Sequence, residues 1–205
     1  MGTEQCIADH KETICGFTIQ VKKPSDRYLD EFLRLKCARD MIGFKLFPNI
    51  KEITESFGIY NAVRTHLREL KLNDPNINLI SVGDGRTPRT AATFAFRSAW
   101  QCWSIDPLLD RINNYHWNGI HRLITIQSNI EDIGREVFGK YIGILVHCHS
   151  HAKLSTSLSV LQNNFNIEAA ISMPCCVPDD IGVPTHSYAD WDVHSPKRTI
   201  NIYRF

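Results

Sequence analysis

From Asn76 onward the chain alternates short apolar runs with stretches of helical spacing, and this rhythm restricts the fold more than any other feature. The runs at Ile77–Val82, Gln101–Ile105, 122–126, 141–147 and 167–172 are short and nearly continuous in apolar character. Strands covered on both faces read this way. Between them, 88–97, a short segment after Pro107, 130–138 and 152–165 read as helices. Alternation of this kind predicts an α/β fold with a mostly parallel sheet and helices on both faces. The tail 199–205 alternates cleanly and predicts a last strand, antiparallel as the chain turns back.

Asn73-Asp74-Pro75 is the clearest boundary and divides an N-terminal helical flank, 1–75, from a core domain, 76–205. Within the flank, 13–21 alternates weakly in the manner of a strand. Ser25 can cap a helix through Tyr28, Leu29, Phe32, Leu35 and Cys37. Asn49 with Glu52 forms a capping-box variant opening a short helix with Ile50, Ile53 and Phe57 inward, which Gly58 is expected to stop. A further helix carries Tyr60, Val63, Leu67 and Leu70 on one stripe.

Lys and Arg number 23 against 22 Asp and Glu, so composition advertises neither nucleic acid nor an anionic membrane as partner. No apolar run approaches the roughly 20 residues that span a bilayer, and the N-terminus, with Glu4, Asp9, His10 and Lys11, lacks a secretory apolar region. The expectation is a soluble cytoplasmic protein without a membrane partner. Seven cysteines fit free thiols in a reducing compartment.

In such a sheet, ligands bind outside the carboxyl ends of the strands. The first strand ends in Val82-Gly83-Asp84-Gly85, where the glycines permit positive φ and close backbone approach, and Thr87 and Pro88 can open the next helix as N-cap and first residue. Helix amides would then face a ligand over the turn. Arg86 and Arg89 beside it read either as carboxylate or phosphate contacts or as surface ion pairs. The second strand ends at Asp106, spaced from the glycine turn so as to accept from ribose hydroxyls, or else to cap the helix after Pro107. After the third strand, Asn129 or Asp132 can meet an adenine amino group while Ile130 covers the ring, and Ser128 or Asn129 can equally be a helix N-cap.

This order of features resembles the class I S-adenosylmethionine-dependent methyltransferases, over roughly residues 76–205. The resemblance implies a Rossmann-like domain with S-adenosylmethionine as cofactor, Gly83, Asp84 and Gly85 on the methionine and ribose side, Asp106 on the ribose, and Asn129, Ile130 and Asp132 near adenine. Ser81 and Thr87 stand where members usually carry an acid and often a third glycine. An alternative is therefore a binding or scaffold protein that keeps the fold without the reaction.

The fourth strand ends in His147-Cys148-His149-Ser150-His151. Alternate side chains of an extended chain share a face, so His147, His149 and His151 can converge on zinc, with Cys175 or Cys176 adding a thiolate. The competing reading, a polar strand end that contacts substrate or backbone, leaves no metal bound. A metal-dependent hydrolase is the corresponding alternative function. The fifth strand ends in Ser172-Met173-Pro174-Cys175-Cys176, at the mouth where a substrate would approach. Some methyltransferases acting on RNA carry cysteines near this place, so the resemblance makes His149, Cys175 and Cys176 candidate catalytic residues and RNA or protein the candidate acceptors. The bland alternative packs both cysteines into the core.

Overall fold

The computed structural model describes residues 9–14, 17–22, 25–110, 116–133 and 141–205. The chain opens with an antiparallel hairpin, β1 (Asp9–Ile14) and β2 (Phe17–Lys22). Three helices follow: α1 (Arg27–Arg34), α2 (Ala38–Gly43) and α3 (Ile50–His66). Then come β3 (Ile77–Val82), α4 (Arg89–Arg97), β4 (Gln101–Ile105), β5 (Leu123–Ile126), a 3-10 turn at Ile130–Asp132, β6 (Tyr141–Cys148), α5 (Leu154–Leu161) and β7 (Phe165–Met173). Two strands close the chain, β8 (His186–Ala189) and β9 (Thr199–Arg204).

The seven-stranded sheet runs β5-β4-β3-β6-β7-β9-β8. The pairings from β5 through β7 are parallel, and β9 is antiparallel to both its neighbours. Its first five strands reproduce the doubly wound Rossmann order, with the switch point between β3 and β6. Both central strands are buried on both faces, in keeping with their nearly continuous apolar runs. Successive residues of β6 feed opposite cores: Ile144, Val146 and Cys148 pack with α1, α3 and α4, whereas Leu145 packs with α5.

Several local expectations are corrected. Gly58 does not end a helix; α3 runs unbroken for 17 residues. A Cβ on Gly58 would lie 2.7 Å from Cγ2 of the buried Val193, so the glycine serves close packing instead. Asn49 does cap α3, accepting from Glu52 N at 3.1 Å. Asp26 rather than Ser25 holds the N-cap position of α1; the Ser25 hydroxyl accepts from Arg27 N at 3.4 Å and donates to Asp192. Thr87 is not the cap of α4: Pro88 holds the N-cap position, the Thr90 and Ala91 amides go to Asp84, and the Thr87 hydroxyl donates to the Leu46 carbonyl at 2.7 Å. Arg122 has a positive φ, and β5 begins one residue later. After β5 only the 3-10 turn forms within 130–133, and the remainder of the helix expected over 130–138 lies outside the described residues. The edge strand β8 was not anticipated, since its mostly exposed residues carry no apolar alternation. No helix among the described residues is long and apolar enough to cross a membrane.

Candidate functional site

A cleft of about 410 Å³ opens at the carboxyl ends of β3, β4, β5 and β6, lined among others by Gly83, Gly85, Asp106, Ile130, His149 and His151. The glycine turn forms its floor. Gly83 and Gly85 both sit at φ +83°, and a Cβ at Gly83 would lie 2.3 Å from the Ser150 hydroxyl and 2.8 Å from the Ser150 Cα. Only glycine lets the β3 turn touch the β6 loop so closely.

Asp84 turns the other way. Its fully buried carboxylate accepts from Thr90 N and Ala91 N, both at 3.2 Å, and from the Ser104 hydroxyl at 2.9 Å. A carboxylate on the first amides of α4 is held by those donors and by the positive end of the helix. This anchoring fixes the turn from beneath and leaves only the backbone of Asp84 on the cleft side.

Asp106 spans the turn and its own strand end. Its Oδ2 accepts from Gly85 N at 2.7 Å, and its Oδ1 from Leu108 N, also at 2.7 Å. The Leu108 bond closes a turn after β4 and leaves Asp106 on the cleft wall; no helix forms within 107–110, and 111–115 lie outside the described residues. Ile130 is buried and contributes an apolar wall. Asn129 lines the cleft, and its amide donates to Asp132 Oδ2 at 3.0 Å. The lining after β5 is Ser128, Asn129, Ile130 and Glu131; Asp132 stands behind Asn129.

The three histidines do not converge. Strand β6 ends at Cys148, and His149 adopts φ +56°, which breaks the alternation that would have aligned them. His147 points into the α5 side, where Nε2 lies 3.0 Å from the Ser157 hydroxyl and burial lowers its pKa to about 4. His149 reaches the opposite side and meets Glu55 of α3, Nε2 to Oε1 at 2.9 Å. His151 instead stands beside Cys175 and Cys176. Cys176 is exposed and Cys175 half-buried, so neither packs as a core residue.

Glu55 is the site residue that sequence reasoning missed. It is buried in the middle of α3, within reach of Lys51 (3.3 Å) and Arg89 (4.0 Å), while Arg89 also approaches Glu52 at 3.5 Å. Burial alone would raise its pKa; the His149 contact, with the Lys51 and Arg89 charges behind it, outweighs burial and holds the carboxyl below its usual value. The Glu55–His149 contact lies off the line of a well-aligned hydrogen bond. Glu55 Oε1, His149 Nε2 and Arg89 Nε are all buried without an aligned partner among the described residues. An imidazole held against a carboxylate at a cleft wall can take up a proton.

No protein-family model matches the chain, and no curated protein matches it in sequence. Several solved structures are similar to it at low identity. A TehB-like SAM-dependent methyltransferase from Corynebacterium glutamicum is 8% identical, over 87% of this chain and 98% of that one, with a TM-score of 0.45. A 1,6-didemethyltoxoflavin-N1-methyltransferase from Burkholderia thailandensis is 12% identical over 91% and 76%, with a TM-score of 0.44. The antibiotic-resistance methyltransferase Kmr is 17% identical over 57% of this chain, with a TM-score of 0.37; the match spans 62% of its length.

Proposed function

We propose that the chain is a methyltransferase that binds S-adenosylmethionine in the cleft between the glycine turn and Asp106. The observation that supports this reading most is the Gly85–Asp106 tie at the carboxyl ends of adjacent strands, next to the sheet's switch point. On this reading the backbone of Gly83 to Gly85 faces the methionine and ribose side. Asp106 meets the ribose hydroxyls with the lone pairs its two amide bonds leave free. Ile130 covers adenine, and Asn129, oriented by Asp132, meets its polar edge.

The residues fit such a group. Arg89, which lines the cleft beside the glycine turn, would meet the carboxylate of the amino-acid end. The cofactor would supply an electrophilic methyl carbon. On the protein's side, His149 would accept the proton that the methyl acceptor gives up, and Glu55 would stabilise the charged ring. RNA and protein are the acceptor classes to assay.

The test is ligand choice. Titration with S-adenosylmethionine, S-adenosylhomocysteine and NAD separates readings that share a ribose-binding acid. Binding of the first two with little response to NAD is expected, and a preference for NAD would sink the proposal.

A further inference from the structure

We infer that His151, Cys175 and Cys176 form a binding site for a thiophilic metal ion, with Zn²⁺ as the ion it accommodates. The inference goes beyond the cofactor reading and does not depend on it. The three ligand atoms lie within 4.8 Å of one another, and the two sulfurs are 3.4 Å apart. Ligand atoms on a tetrahedral zinc are separated by roughly 3.5–3.8 Å, given Zn–S and Zn–N bonds of about 2.3 and 2.0–2.1 Å. The cluster therefore needs only a small adjustment to close on one ion.

The backbone that carries these groups is tied down from several sides. His149 N donates to the Met173 carbonyl at 2.9 Å, the Cys175 thiol reaches back to the His149 carbonyl at 3.6 Å, and the Lys197 ammonium holds the Cys175 carbonyl. Pro174 and Pro178 bracket the loop and restrict its φ angles. The two segments that supply the ligands are thus joined before any ion arrives. Cys176 and His151 are exposed, which leaves an entry path.

Two thiolates and an imidazole select borderline and soft ions over Mg²⁺ or Ca²⁺. Binding replaces the thiol protons, which pass to solvent. Three protein ligands leave a fourth position for water or a substrate atom. Because His151 also lines the cleft, the ion would sit at its rim.

The experiment uses the full chain without a histidine tag, reduced and stripped with a chelator, then titrated with Co²⁺ as a spectroscopic substitute for zinc. One equivalent should give tetrahedral Co²⁺ bands and a thiolate-to-metal charge-transfer band, both abolished by Zn²⁺. Cys176→Ser should remove most of the charge-transfer intensity and His151→Ala should weaken binding at least tenfold. His186→Ala, at a distant exposed histidine, should change neither. Circular dichroism of each variant verifies folding. The inference is overturned if reduced, folded protein shows no charge-transfer band, or if stoichiometric binding survives both Cys176→Ser and His151→Ala.

Discussion

Gly85 and Asp106, 21 residues apart in sequence, are joined by a 2.7 Å hydrogen bond from amide to carboxylate. The bond couples the turn after β3 to the end of β4, so the cleft floor and the proposed ribose acceptor move as one unit. Because φ at Gly85 is positive, the amide is presented from a conformation that most side chains resist.

Gly83→Ala tests the neighbouring contact. The new methyl group would meet the Ser150 hydroxyl and backbone at distances real Cβ atoms do not tolerate, in a left-handed conformation. A loss of about 2 kcal/mol or more in urea unfolding is expected, with ligand binding weakened in the same variant. An unchanged midpoint would mean that the turn and the β6 loop do not approach as described.

Asp84→Ala should act on stability through α4. Three donors lose their acceptor at once, two amides at the helix start and one buried hydroxyl. Hydrogen bonds to a charged group are worth about 1.5–3 kcal/mol each at most, and their effects overlap, so a total near 3 kcal/mol is expected. For a chain of this size that corresponds to a fall of roughly 10 °C in Tm. Asp84→Asn should recover part of it, since one amide oxygen still accepts.

Glu55→Gln separates positioning from binding. If Glu55 stabilises the protonated His149, the variant should lose on the order of 10²-fold in kcat while retaining its affinity for S-adenosylmethionine. Equal losses in cofactor affinity and kcat would instead assign Glu55 a purely structural place under the cleft.

His147 predicts an acid-sensitive stability. Its pKa falls to about 4 on folding, from about 6.5 in an unfolded chain, so between those values the unfolded state binds more protons. Stability contributed by the neutral buried ring is therefore full above about pH 6.5 and is lost as pH falls toward 4, on the order of 3 kcal/mol in all. Denaturant unfolding from pH 7 to 4 should show this slope, and His147→Gln should flatten it. A parallel slope in the variant would assign the acid sensitivity elsewhere.

The strands of the core were legible because parallel strands buried on both faces leave nearly continuous apolar runs, as at Ile77–Val82. Asp106 was legible through its place at a strand end. The histidine pattern misled, since strict alternation holds only while the backbone stays extended, and His149 leaves that region directly after Cys148. Glu55 was hidden for another reason. Helix α3 is buried on nearly every side, so a charged residue on it breaks the usual equation of charge with solvent. Its partner, moreover, lies 94 positions further along the chain. That the Asp84 carboxylate turns inward was not legible, because the sequence of a turn does not say which of its groups faces the core.

The most direct measurement is calorimetric titration of S-adenosylmethionine into the folded chain and into Asp106→Ala. The account predicts micromolar binding to the unaltered protein and loss of detectable heat in the variant, with both proteins folded by circular dichroism. A folded, unaltered protein that takes up no S-adenosylmethionine, or an Asp106→Ala variant that binds it equally well, would contradict it.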